Sequence, residues 1–286
     1  MKIGVHAYAW TSEWNNQCLG LIGRAANLGL DLIEIPLMRI DLCDPEAIKA
    51  ECERAGIDVC TSTVLNEKTD LTSEDTGIRK NGVAYLKACV KATADMGGRC
   101  LSGVIYSEIG KKSDTRPGPR EWGYSAGGLK EVCRYARDFG VTLGIEPVNR
   151  YETYLINTAG QAVQLADMID EPNIAVHLDT YHMNIEEKDF YQATKTAGHR
   201  LCHYHLCEND RGIPGTGLVD WDCIFMALGE MNYQGNAALE SFVEVSDNMR
   251  GATCIWRDLA PSGDVLVSEG LRFIRSMIEK YFPKAP

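Results

Sequence analysis

Three carboxylates and one imidazole pose the first chemical question. Glu146, Asp179, His205 and Glu240 each close a short β-type run, and each stands roughly 30 residues from the next, the length of one strand–helix unit. Parallel strands joined in this way deliver their last side chains to one rim, so the four would face a common bowl. A lone carboxylate at a strand end usually caps or pairs at the surface. Four in phase read instead as a ligand set for one divalent cation. Oxygen donors with a single nitrogen suit Mn²⁺, Mg²⁺ or Co²⁺ better than the thiolate sets of structural zinc. Glu146 and Glu240 come from different sides of the bowl and are candidates for a base and an acid acting on opposite faces of a substrate.

The surrounding residues extend this reading. In the run Leu201–Cys207, side-chain alternation puts His203, His205 and Cys207 on one face. His203 then lies one layer deeper as a hydrogen-bonded interior residue, and Cys207 reads as an inert thiol. His177 shares the face of Asp179 and is expected below the site. Glu152, His182 and Arg211 follow the strand ends in short loops and could hold hydroxyl or oxyanion groups. Tyr8, Trp10 and Trp14, with Tyr106 and Glu108, would form a largely apolar wall over a small polyol. Gly212–Gly217 is glycine-rich, but it matches neither a P-loop nor a dinucleotide fingerprint, and neither H-E-x-x-H nor G-x-S-x-G occurs.

Positioning four such residues at one rim needs a repeating scaffold, and the chain supplies one. Strands are predicted at 2–7, 31–35, 57–63, 99–104, 142–146, 174–179, 201–206 and 236–239, with amphipathic helical stretches between them. Asp44-Pro45-Glu46 offers an N-cap, a first-turn proline and an acid for the helix dipole. Thr72–Asp75 and Thr158–Gln161 resemble capping boxes. Eight strand–helix units without a linker or composition break predict an α/β chain folded as a single TIM (β/α)₈ barrel over residues 1–286, an open doubly wound sheet being the architectural alternative. Segments 107–124 and 244–263 are too long for minimal connections and are expected to be active-site insertions.

Composition narrows the partners. The 286 residues are 45% hydrophobic with a net charge of −11, which supports a large core and argues against nucleic acid as a partner. No apolar run approaches the ~18 residues of a membrane span, and the amino terminus lacks a secretory leader pattern. The eleven cysteines include no C-x-x-C pair and are expected to be reduced thiols in a cytoplasmic protein.

Several longer strings carry a family likeness: Ile145–Glu152, Leu155–Ala159, Leu178-Asp179-Thr180-Tyr181-His182-Met183-Asn184-Ile185-Glu186-Glu187, His203-Tyr204-His205, Glu208 with Arg211, Leu239–Phe242 and Ile255–Leu259. Across essentially the whole chain the sequence resembles the D-tagatose 3-epimerase and D-psicose (D-allulose) 3-epimerase family of ketose 3-epimerases. The resemblance implies a TIM barrel with one divalent metal per subunit, Mn²⁺ foremost with Co²⁺ or Mg²⁺ as alternatives, held by Glu146, Asp179, His205 and Glu240. It also implies substrate contacts at Glu152, His182 and Arg211, a free ketose as substrate, and a homodimer or homotetramer. Pro147, His6 and the lack of a tryptophan after Ser107 depart from the family pattern and bear on the preferred sugar. The implied reaction removes the C3 proton of a ketose through an enediolate and returns a proton to the opposite face, with Glu146 and Glu240 exchanging acid and base roles. The same residues leave open an aldose–ketose isomerase on a similar barrel, a non-catalytic metal–sugar binder and, against the charge balance, an endonuclease IV-like nuclease.

Overall fold

The computed structural model of the chain describes residues 1–282; residues 283–286 of the expected single domain lie outside them. Eight parallel strands close into a barrel in chain order: β1 (Lys2–His6), β2 (Leu32–Pro36), β3 (Asp58–Leu65), β4 (Cys100–Glu108), β5 (Thr142–Ile145), β6 (Ile174–Asp179), β7 (Leu201–Leu206) and β8 (Asn236–Leu239). The closure pairs β1 with β8 through Lys2↔Asn236 to Val5↔Leu239. The open-sheet alternative is thereby excluded. Helices α1 (Gly20–Asn27), α2 (Pro45–Ala55), α3 (Thr76–Asp95), α4 (Pro119–Arg137), α5 (Ala159–Ile169), α6 (Thr180–Glu186), α7 (Phe190–Ala197), α8 (Trp221–Glu230), α9 (Asp247–Thr253) and α10 (Gly263–Tyr281) fill the connections.

The amphipathic faces go where their periods direct them. Ala162, Leu165, Ala166 and Ile169 of α5 are all buried, as are Val267, Leu271 and Ile274 of α10. The Thr158 capping box forms: Gln161 N–H donates to Thr158 Oγ1 at 3.3 Å, and Thr158 N–H donates to Gln161 Oε1 at 3.1 Å. The box expected at Thr72–Asp75 does not form. Asp75 caps α3 alone, accepting from Gly77 N–H at 2.6 Å, because Thr72 is buried with its hydroxyl given to Asp70 Oδ1 at 2.7 Å.

Two connections differ from expectation. β4 runs on to Glu108, so Ser107 and Glu108 belong to a strand, Pro119–Tyr124 belong to α4, and the insertion shrinks to 109–118. Gly103, inside the predicted part, has a φ of 122° where a Cβ would stand 2.2 Å from the Thr63 carbonyl oxygen, and beyond it the register with β3 shifts from Val64↔Val104 to Leu65↔Glu108. The second long connection, 244–263, carries its own helix α9, capped by Ser246. All eleven cysteines are free thiols. Among the described residues no helix is long and apolar enough to cross a membrane.

Candidate active site

The carboxyl ends of β5 to β8 bring Glu146, Asp179, His205 and Glu240 together. Glu146 follows β5 directly, tethered by its N–H to the Gly103 carbonyl at 3.1 Å. Asp179 ends β6 and caps α6, its Oδ1 accepting from Tyr181 N–H at 2.7 Å. From His205 Nδ1, Glu240 Oε2 lies 3.4 Å away, Asp179 Oδ2 3.6 Å and Glu146 Oε1 3.9 Å. That Nδ1 atom is buried without a hydrogen-bond partner, while Nε2 sits 2.9 Å from Glu34 Oε2. Glu34 accepts from Nε2–H; burial lowers the imidazole, but Glu240, Glu34 and Asp179 outweigh it and raise the group well above its ordinary value, so Nδ1 holds a proton that a bound cation would replace. Glu146, Asp179 and His205 offer ligand atoms close enough to share one ion, and so do Asp179, Cys207 and Glu240. A buried, unpartnered imidazole nitrogen among crowded carboxylates fits a divalent cation.

Electrostatics separates the carboxylates. Burial pushes Glu146 well above the usual range; Asp179 and Glu240 add to this, against His205 and Arg211. Burial also pushes Asp179 up, but Arg211, His182 and His205 outweigh it and hold the group well below its ordinary value. Glu240 is lowered in the same way, Arg211 and His205 overcoming its burial.

Arg211 spans the mouth of this cluster. Its Nη1 donates to Asp179 Oδ2 at 2.7 Å, to Glu240 Oε2, and to Cys207 Sγ at 3.0 Å. The guanidinium lies over the Tyr181 ring at 4.2 Å and the Phe242 ring at 5.5 Å. Its backbone has a φ of 66°, unusual for a side-chain-bearing residue, and its carbonyl accepts from Ser241 Oγ at 2.6 Å. Cys207 is buried, and desolvation pushes its thiol up, which keeps it protonated.

His182 falls on α6 rather than in the short loop expected there. Its Nδ1 accepts from Asn149 N–H at 3.1 Å, which leaves the ring proton on Nε2. That Nε2 lies 3.9 Å from both Glu146 Oε1 and Asp179 Oδ2 and 3.3 Å from Arg211 Nη2, so the ring and the guanidinium face the same space. Glu152 accepts from Asn149 Nδ2 at 2.8 Å, so one asparagine steers both residues.

The residues expected to wall the site differ in burial and in partners. Tyr106 is fully buried, and its hydroxyl donates to the Ile156 carbonyl at 3.1 Å, so it has none to offer a substrate. Trp14 is 1% exposed and belongs to the hydrophobic core. Trp10 packs beneath Arg24 and beside Gly263. Tyr8 remains at the site: it stands against Phe242 at 5.5 Å, and burial together with Glu240 pushes its phenol up. Glu108 sits at the end of β4 with its N–H on Asp70 Oδ1 at 3.1 Å. His177 and His203 line the interior as expected, His203 Nε2 meeting Glu34 Oε2 at 2.7 Å. The sequence reading passed over Glu34, Asn149, Tyr181 and Phe242. Asn149, Tyr181 and Phe242 lie within the strings that carry the family likeness, and the signal at Glu34 was a single carboxylate inside the apolar strand Leu-Ile-Glu-Ile-Pro.

Known proteins share this fold and much of the sequence. A family model described as xylose isomerase-like TIM barrel matches residues 22–277. A ketose 3-epimerase of Arthrobacter globiformis is 34% identical over 97% of both chains, and a D-psicose 3-epimerase of Agrobacterium fabrum is 32% identical over 93% of both. The crystal structure of a Methylomonas D-allulose 3-epimerase in complex with D-allulose superposes with a TM-score of 0.92 at 34% identity, covering 97% of each chain. The chain belongs to the xylose isomerase-like TIM barrels and, within them, to the ketose 3-epimerases: it is an isomerase acting on sugars.

Proposed function

We propose that this protein interconverts free ketoses at C3, among them D-fructose with D-allulose, D-tagatose with D-sorbose, and L-ribulose with L-xylulose, using one divalent ion, Mn²⁺ foremost. The observation that carries the reading is the unpartnered Nδ1 of His205, buried and facing Glu146, Asp179 and Glu240. When bound there, a divalent ion would supply a Lewis acid that acidifies the carbon beside a ketose carbonyl and orients the sugar.

The chain's own residues supply the proton transfers. Glu146 has the proton affinity of a base, because burial and neighbouring carboxylates raise it, whereas Glu240 is held ionised by Arg211 and His205. Acid and base roles on the two faces of C3 follow from carboxyl groups pushed apart in this way, and they exchange when the substrate has the other configuration. Charge developing on the substrate oxygen is met by the Nε2–H of His182 and the guanidinium of Arg211. Glu152 is positioned by Asn149 to take a hydroxyl.

A free sugar is favoured over a phosphorylated one by the state of the two arginines that follow β8. Arg250 reaches Asp258 at 3.4 Å and Arg257 reaches Asp210 at 2.8 Å, so both are already paired with carboxylates. The test is a panel of free ketoses in D₂O with Mn²⁺, followed by NMR. Deuterium at C3 with formation of the C3 epimer is the expected outcome. Deuterium at C1 or C2 with an aldose product would make the protein an aldose–ketose isomerase, and no exchange into any ketose would make it a binder.

A further inference from the structure

Beneath the proposed metal centre, Glu34 occupies a place that the sugar chemistry does not use. It is the third residue of β2, fully buried, in a strand otherwise made of Leu32, Ile33, Ile35 and Pro36. A carboxylate in a barrel interior costs several kcal/mol unless its partners are well placed, and an apolar side chain would fill the layer more cheaply. Its partners lie across the barrel on β7. Oε2 stands 2.7 Å from His203 Nε2 and 2.9 Å from His205 Nε2. The remaining oxygen, Oε1, has no hydrogen-bond partner and faces His6 Nε2 at 4.0 Å. His6 is itself engaged: its Nδ1 accepts from Tyr8 N–H at 3.2 Å, so its Nε2–H donates to Ser62 Oγ at 2.9 Å.

We infer that Glu34 is a positioning residue for the metal: accepting from Nε2–H of His205, it fixes the tautomer and the ring plane that present Nδ1 to the ion. His203 braces the carboxylate from the layer below, through a second bond to the same oxygen. The arrangement is that of a metal-bound imidazole whose far nitrogen is held by a carboxylate, a contact that orients the ring and strengthens it as a donor. Without Glu34, the His205 ring would be free to place its proton on either nitrogen or to turn about its χ2 axis. The inference rests on the proposed divalent centre at Glu146, Asp179, His205 and Glu240.

The test reads metal binding rather than turnover. Mn²⁺ affinity is measured by electron paramagnetic resonance of the free ion for the wild type, Glu34→Gln and Glu34→Ala, with folding checked by circular dichroism. Glu34→Gln keeps the volume and one acceptor, so it should weaken Mn²⁺ about tenfold, and Glu34→Ala should approach the ~100-fold end of the usual range for such partners. A folded Gln or Ala variant that binds Mn²⁺ as tightly as the wild type would overturn the inference. Should the variants fail to fold, histidine ¹⁵N NMR of the wild-type protein with diamagnetic Mg²⁺ decides: the His205 proton must reside on Nε2, and a proton on Nδ1 overturns it. Failure of the wild type to bind any divalent ion would remove the metal reading itself, an outcome distinct from equal binding by wild type and variants.

Discussion

Glu146 and Glu240 share one set of neighbours yet are driven in opposite directions, the first toward holding a proton and the second toward losing it. An epimerase needs such a pair, since one face of C3 must lose a proton while the other gains one. Glu146→Gln and Glu240→Gln are therefore each expected to lower kcat by at least ~10²-fold, the scale of a general acid–base group. Both residues also offer ligand atoms to the ion, so metal content is measured alongside the rate. A fully loaded variant that turns over at the wild-type rate would strike its residue from the mechanism. The residues of this centre were legible from the chain because polar side chains at successive strand ends have few other reasons to be in phase. The burial of Trp14 and Tyr106 was not, because an aromatic residue near a rim points inward or outward according to packing partners distant in sequence. Tyr106 finds its partner at Ile156, 50 residues away.

The connections at the carboxyl end of the barrel are tied to one another at the level of elements. Asp70, in the connection after β3, is buried and accepts from Thr72 N–H at 2.8 Å, Thr72 Oγ1 at 2.7 Å, Glu108 N–H at 3.1 Å and Lys111 Nζ at 2.6 Å. Tyr154, after β5, closes the group by donating to Thr72 Oγ1 at 2.9 Å. Three connections thus converge on Asp70 and Thr72. Burial pushes Asp70 up, but Lys111 and the Thr72 donors outweigh it, so its folded value lies below the ordinary one. A depressed carboxylate contributes stability above its unfolded pKa of about 3.9, and that contribution disappears as pH falls through the lower folded value. Asp70→Asn should cost about 2 kcal/mol at pH 7, the scale of hydrogen bonds to a charged group. The deficit should shrink below about pH 4, as the wild-type carboxyl takes up its proton. Urea unfolding of both proteins at pH 7 and pH 3 checks this; a deficit independent of pH would mean that packing, not charge, holds the connections. Little of this network could be read from the chain, since Asp70, Lys111 and Tyr154 follow no period. The strands, by contrast, were found because the two-residue alternation and the helical period are local. α6 escaped because seven residues are too few to display that period, and because its cap, Asp179, had already been read as a ligand.

The candidate ligands come from β5, β6, β7 and β8, half of the barrel's circumference, and an ion shared among them would act as a cross-link of the whole molecule. Glu146, Asp179 and Glu240 crowd around His205 Nδ1 within 3.4–3.9 Å, so their mutual repulsion is relieved mainly by His205 and Arg211 until a cation binds. Any ligand that binds the folded chain and not the unfolded one stabilises it by mass action, by about 2.7 kcal/mol when present at 100 times its dissociation constant. For a domain of this size, that corresponds to a rise in the unfolding midpoint of roughly 4–5 °C. Protein stripped by exhaustive chelation should therefore melt lower than protein with Mn²⁺ at matched ionic strength, and the midpoint should climb with the logarithm of Mn²⁺ concentration. Asp179→Asn removes the carboxylate common to both candidate ligand groups and should abolish most of that climb, read against the variant's own metal-free midpoint because Asp179 also pairs with Arg211. Midpoints that coincide with and without Mn²⁺ in the wild type would mean that no ion bridges these four strands, and the assignment of the centre would fall with them.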